Sequence, residues 1–209
     1  MASILNVDKI RRATGTSDAV TIDSSDNVTI PSLISTDLDL TGQTGAILQE
    51  VTVTSKTFST HNSTSWSEAH SSYRVTITPK SNSSQIVLQY YVPYSPTGAA
   101  NILHGFKAVR STDGGSTFTD GLWGWGNALG SRQRISGGFT RSSNGFDAND
   151  MNMQNWISVD RPGVTTACIY GFHMKSEGTN ACNVNHSAGD NSVWGWTIAV
   201  IIRATEMVV

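Results

Sequence analysis

The sequence predicts an all-β protein: a short N-terminal β stalk, followed by an antiparallel jelly-roll or β-sandwich knob. Three observations lead there. Apolar residues recur at a spacing of two in segment after segment, which is strand periodicity, and helical periodicity is almost wholly lacking. Clusters of Gly, Asp, Asn, Ser and Pro punctuate these segments at regular intervals, as turns do. Charged residues make up only 14% of the 209, against roughly 25% in an ordinary globular domain. Ser, Thr, Asn and Gly take their place.

The first alternating segment is Ser3 to Ile10, followed by Arg11-Arg12 and a turn at Gly15. Ala19 to Thr41 then carries three apolar pairs, Val20 with Ile22, Val28 with Ile30, and Leu38 with Leu40. Each pair puts both side chains on one face, and Asp23 to Asn27 and Pro31-Ser32 supply the turns between them. Such a ladder is too thin to fold alone. Burying an aliphatic side chain gives roughly 1.5–3 kcal/mol. Ordering each of some twenty residues costs on the order of 1–2 kcal/mol in backbone entropy. These six residues must therefore find their core elsewhere: their counterparts in further copies of the chain are one solution, and a partner surface is another. Gly42 to Gly45 breaks the ladder, and Ala46 to Val53 begins a larger body. Aromatic residues, lacking before Phe58, are frequent beyond it. The boundary is placed near residue 50, giving a stalk over 1–50 and a knob over 51–209.

In the knob, Tyr73 to Thr78 alternates, Pro79 to Ser84 turns it, and Gln85 to Val92 returns as a more buried strand. Gly105 to Arg110, a turn at Asp113-Gly114-Gly115, and Ser116 to Phe118 follow. Arg132 to Phe139 and Met151 to Val159 are weaker strand patterns. Thr165 to Met174 and Ala181 to His186 read as a hairpin around Ser176-Glu177-Gly178. Trp194 to Thr205 closes the chain as its most apolar strand, with Trp194 and Trp196 assigned to the core. Roughly eight to ten strands with regular turns make a sandwich or jelly roll.

Several function classes are excluded. A net charge of −2 with no basic run argues against a nucleic-acid partner. No stretch approaches the ~20 apolar residues of a membrane span. MASILNVDKIRR carries its charges after its apolar run, unlike a secretory signal, so folding is expected in the cytoplasm that makes the chain. Cys168 and Cys182, on neighbouring apparent strands, are too few for a disulfide framework and read as two buried thiols. His173 and His186 complete no zinc pattern with them. No cofactor fingerprint, nucleophile elbow or metalloprotease motif occurs. The acid pairs Asp37/Asp39 and Asp147/Asp150 read as solvated rather than as glycosidase carboxylates. The expectation is a protein that is not an enzyme, with no catalytic residue, metal or cofactor.

Two motifs remain. Ser111 to Phe118 fits the Asp-box pattern SxDxGxxF, which occurs once and reads as an Asp-Gly hairpin turn. Trp123-Gly124-Trp125-Gly126 is the candidate glycan-binding surface. Its two indoles would stack on sugar rings, with Arg132 or Arg134 bonding hydroxyls or anionic groups. The competing reading packs these tryptophans in the trimer core. Glycosylation acceptor patterns at Asn27, Asn62, Asn82 and Asn185 are expected by chance in so Ser/Thr/Asn-rich a chain.

The opening segment, NVDKI with GTSDAVTIDSSDNVTIP, resembles the N-terminal part of fibre and appendage proteins of tailed bacteriophages, especially marine ones. The body is similar to the knob that often follows it. The likeness is strongest at Val75 to Leu88, at Val159 to Cys168, and at the closing Ala204-Thr205-Glu206-Met207. This resemblance implies a homotrimer with a slender stalk and a jelly-roll, tumour-necrosis-factor-like knob. It also implies residues 1–15 docking on other virion proteins, and a virion location after assembly in the host cytoplasm. The function so implied is display of the knob at the particle surface for host attachment, through a surface glycan. The alternatives are a head fibre or capsid decoration without receptor role, and a glycan-degrading tail spike. Gly121 to Asp150 departs from the family pattern, so no loop function carries over there.

Overall fold

The computed structural model describes residues 9–11, 18–22, 28–29, 44–97, 103–120, 126–127, 129–140, 150–178, 180–187 and 195–209. The chain divides into two units, Met1–Leu40 and Thr41–Val209. In the first, β1 (Lys9–Arg11), β2 (Asp18–Ile22) and β3 (Val28–Thr29) form one antiparallel sheet in that order. Ile10 stands opposite Val20, and Ile22 opposite Val28. The first expected pair, Val20 with Ile22, thus lies on β2, beside Val28 of the second pair on the neighbouring β3. The side chains of Val20, Ile22 and Val28, and residues Ile30, Leu38 and Leu40 altogether, lie outside what is described.

The second unit is all-β. Its strands are β4 (Ile47–Ser55), β5 (Ser59–His61), β6 (Ser67–Glu68), β7 (Val75–Ile77), β8 (Gln85–Pro96) and β9 (Leu103–Ser111). They continue with β10 (Gly137–Thr140), β11 (Asn152–Asp160), β12 (Cys168–Ser176), β13 (Cys182–Val184) and β14 (Val200–Met207). One sheet runs β4-β14-β8-β13-β5, with β11 on the other side of β8. The second runs β10-β9-β12-β6, with β7 also on β12. All pairings are antiparallel.

Period-two patterning decides which face is buried. Ile86, Leu88, Tyr90 and Val92 of β8 point inward with Trp156 of β11 and Val200, Ile202 and Ala204 of β14. Facing them are Phe106 and Ala108 of β9, Tyr170, Phe172 and Met174 of β12, and Val75 and Ile77 of β7. Aromatic rings fill the centre of this sandwich. Tyr90 and Trp156 stack at 4.5 Å, and Phe172 meets the Trp156 ring edge-on at 6.0 Å.

Polar side chains fasten the sheets where apolar packing ends. Asp160, at the end of β11, accepts from Arg110 Nη1 at 2.7 Å and from the Tyr170 hydroxyl at 2.8 Å, both in the other sheet. Burial and the Asp160 charge push the Tyr170 phenol far up. Glu206, fully buried on β14, accepts from the amides of Lys80 and Ser81 and from Gln49 Nε2. It thereby holds the arch that carries the chain from β7 to β8. Asn185 adopts φ 72° and donates to the carbonyls of Ser55 and Thr57, fixing the chain after β13.

Five expectations require correction. Tyr73 to Thr78 and Gln85 to Val92 are not hairpin partners: β7 belongs to the five-stranded sheet and β8 to the six-stranded one. The same holds for Thr165 to Met174 and Ala181 to His186, since β12 pairs with β9, β6 and β7 whereas β13 pairs with β5 and β8. A short polar connection reads alike whether the chain turns back within a sheet or arches across the sandwich. The final strand begins at Val200, and Trp196 is 61% exposed rather than core. Trp194 lies outside the described residues. Ser116 to Phe118 is turn rather than strand, followed by a single bridge from Thr119 to Arg110. Cys168 and Cys182 are both buried free thiols, but on different sheets rather than neighbouring strands. Burial raises the pKa of both.

Candidate binding cleft

The outward face of the five-stranded sheet follows from register. Because Phe106 and Ala108 point into the core, Leu103, Gly105 and Lys107 point out. Across the ladder, Gly105 stands opposite Lys175, and Lys107 opposite His173. On the other flank Gly105 stands opposite Gly138 of β10. Two glycines side by side leave that face without side chains at one spot. The space is needed: a Cβ at Gly105 would stand 2.8 Å from Cη2 of Trp66, and one at Gly138 would stand 2.7 Å from Cδ1 of Ile135. The Trp66 indole and the Ile135 side chain settle into this depression.

A cleft of about 350 Å³ results, within the range of small-molecule sites. Trp66, Leu103, Gly105 and Ile135 give it an apolar lining, and Arg132, Gln133, Lys175 and Glu177 give it polar groups. Gln133 ties the walls together, accepting from Trp66 Nε1 at 3.2 Å and donating to Glu177 Oε1 at 2.8 Å. Glu177 also pairs with Lys175 Nζ at 3.1 Å. Lys107 lies over the Trp66 ring, its Nζ 4.4 Å from the ring centroid, and bonds Asp120 Oδ2 at 2.9 Å. The approach to β10 is pinned by Ser136, whose amide donates to Phe106 O and whose hydroxyl accepts from the Ala108 amide. A tryptophan with a rigid polar frame beside it can hold a ring-shaped polar ligand, with one surface against the indole and its hydroxyls on the frame.

Farther along the same face, Arg74 forms a bidentate pair with Glu68, with bonds of 2.5 and 2.7 Å, and lies over the Phe118 ring at 4.8 Å. Phe118 in turn packs on His173, whose pKa burial pushes down. The Asp-box-like segment is the turn beside this cluster. Asp113 accepts from the Ser111 and Thr117 hydroxyls at 2.6 Å each and from the amides of Ser116 and Thr117. These bonds hold its carboxyl well below the usual carboxylate range. Gly114 and Gly115 take φ 75° and 88°, which only glycine adopts readily. Asp113 is fully engaged in shaping its own turn.

Of the residues singled out in the sequence, Arg132 lines the cleft and Arg134 is exposed outside its lining. Trp123 and Trp125 lie outside the described residues, as do Asp37, Asp39 and Asp147; Asp150 is exposed. Sequence reasoning missed Trp66, Gln133, Lys175 and Glu177. The available signal was a lone tryptophan in the Ser/Thr-rich run HNSTSWSEAHSS, a composition that reads as loop. Glu177 is the only carboxylate among the described residues that line the cleft. Glycoside hydrolysis needs a second, some 5–10 Å away. Among the described residues no three His, Cys, Asp or Glu side chains converge as a metal site would require.

The outward face of the six-stranded sheet is different. Ile201 stands opposite Tyr91, Ile157 opposite Gln89 and Met153 opposite Pro93, and Tyr91, Met153, Ile157 and Ile201 are all exposed. Gln89 and Asn155 lie among these apolar side chains and Arg203, opposite Gln89, borders them, so the face is an apolar patch interrupted by polar groups. No protein-family model matches this chain, and no curated protein matches it.

Proposed function

We propose that this chain is a non-enzymatic attachment module of a tailed-bacteriophage particle, in which the sandwich binds a saccharide in the Trp66 cleft. The cleft carries the reading: an indole, a polar frame of Gln133, Lys175, Glu177 and Arg132, and a single carboxylate already engaged by two partners. Such a site has the parts for holding a sugar, and its described lining holds one carboxylate where cutting one takes two. In this reading the N-terminal unit serves assembly into a homotrimer and docking on other virion proteins, as the resemblance of residues 6–31 implies. The test is a glycan array probed with the full chain and with Trp66→Ala. Saccharide signals that vanish in the folded variant support attachment; equal signals from both refute the cleft as the site.

A second reading, a head fibre or capsid decoration without receptor role, draws on the Tyr91–Ile157–Ile201 patch. A decoration protein would bury such a face against further copies of itself. Light scattering of the full chain and of a Tyr91→Glu, Ile157→Glu double variant separates the possibilities. A trimer that falls apart in this variant places assembly contacts on the sandwich. A trimer lost only with Ile22→Asp places them in the N-terminal unit. A monomeric wild type refutes the trimer.

A further inference from the structure

Among the described residues, every charged group around the cleft except one is neutralised by a partner. Lys175 pairs with Glu177, Lys107 pairs with Asp120, and Glu177 additionally receives the Gln133 amide. Arg132 lines the same cleft, its side chain is exposed, and among the described residues it makes no ion pair or side-chain hydrogen bond. Two cations and one carboxylate thus line the space, leaving a net positive charge located at Arg132. Its backbone is held nonetheless, because the Arg132 amide donates to Leu129 O at 3.2 Å and the next residue, Gln133, is bonded on both sides.

We propose that the cleft selects an anionic saccharide, with Arg132 as the partner of the sugar's carboxylate or sulfate and Trp66 as the surface for its ring. A guanidinium offers a planar fork of donors that matches either group through two parallel bonds. A neutral sugar would leave that fork to water, so the preference is a difference between ligands of the same ring, not a difference in overall fit. Glu177 works in the same direction: with its charge committed to Lys175 and Gln133, it does not repel an incoming anion at full strength. This inference rests on the saccharide reading of the cleft and adds the sign of the ligand's charge.

The experiment uses an array of uronate-, sialate- and sulfate-bearing oligosaccharides, each printed beside its carboxyl-reduced, desialylated or desulfated counterpart. Hits are followed by calorimetric titration. The full chain is compared with Arg132→Gln and Arg132→Lys, whose exposed position leaves folding undisturbed, and thermal melting checks this. The expected result is at least tenfold tighter binding of the anionic member of a pair. That preference should disappear in Arg132→Gln, return in part in Arg132→Lys, and shrink between 50 and 500 mM salt as roughly expected of an exposed charge. Preference for carboxylate over sulfate, or the reverse, tells which group the fork receives. Equal binding of both members overturns the inference while leaving saccharide attachment in place. An undiminished preference in Arg132→Gln overturns the role of Arg132. Wild-type binding to no member overturns the attachment reading itself, and this inference with it.

Discussion

Lowering the pH from 7.5 to 5 should destabilise the sandwich by about 2 kcal/mol through His104 alone. His104 sits on β9 with its ring 5.0 Å from that of Phe139; it is 1% exposed, and Nδ1 has no partner. Burial first, and then the neighbouring His61, push its pKa down to about 4 from 6.5. Above pH 6.5 the ring is neutral in both folded and unfolded chains, so His104 adds no pH dependence. Below it the unfolded chain takes up a proton that the folded chain refuses, and stability falls at up to 1.36 kcal/mol per unit until the folded value is reached. At pH 5 the difference amounts to about 1.5 units of proton linkage, hence the 2 kcal/mol. His61 and His173 are also lowered, mainly by burial, and add in the same direction. The window stays above the carboxylate range, which keeps Asp and Glu ionised in the unfolded chain. Guanidinium unfolding followed by tryptophan fluorescence at both pH values measures the loss. His104→Phe, which retains a ring against Phe139, should reduce it by about 2 kcal/mol. Equal stability of the wild type at pH 7.5 and 5, or an undiminished loss in His104→Phe, would refute the reasoning.

Three further outcomes are expected. Asp160→Asn should cost about 3 kcal/mol, because it leaves Arg110 without its counter-charge at the sheet junction; Tyr170→Phe, removing one hydrogen bond, should cost about 1–2 kcal/mol. Chemical denaturation measures both, and equal effects would contradict the ionic role of Asp160. Glu206→Gln should lower stability by roughly 1–3 kcal/mol, since a fully buried amide group would then confront the Gln49 side-chain donor. The matching reversal, Gln49→Glu in that background, should not rescue it, because Gln49 also donates to Thr78 O. Gly105→Ala should displace the Trp66 indole, costing about 1–3 kcal/mol and shifting its fluorescence. Saccharide affinity should drop with it, and a variant that keeps wild-type fluorescence and affinity would contradict the close packing of Trp66 on Gly105.

What the sequence made legible was local. The alternation in Val75 to Ile77, Gln85 to Val92 and Gly105 to Arg110 names strands and inward faces that β7, β8 and β9 display. It does not say which sheet a strand joins, and the sandwich joins β7 to β8 and β12 to β13 by crossing between sheets. Trp194-Gly195-Trp196 shows the other gap. Two indoles ahead of an apolar strand look like core, yet the strand starts only at Val200, and Trp196 is left outside. The cleft was illegible for a related reason. Its floor is made by what is missing, the side chains of Gly105 and Gly138, and only the register of three strands puts those two glycines beside Trp66 and Lys175.

Three sequence segments, Val75 to Leu88, Val159 to Cys168 and Ala204 to Met207, act as fastenings of the scaffold. Val75 to Leu88 contains the arch whose amides bind Glu206, and Ala204 to Met207 contains Glu206 itself. Val159 to Cys168 contains Asp160, which ties β11 to Arg110 and Tyr170. The cleft, by contrast, is assembled from residues 66, 103, 105, 131–133, 135, 175 and 177, none of which falls in those segments. A scaffold fastened by one set of residues and a cleft built from another can change ligand without changing shape. Exchanging residues 129–136 for a stretch of equal length that keeps Ile135 and Ser136 should therefore alter saccharide preference while leaving the denaturation midpoint nearly unmoved. A large loss of stability with unaltered preference would place recognition elsewhere on the sandwich.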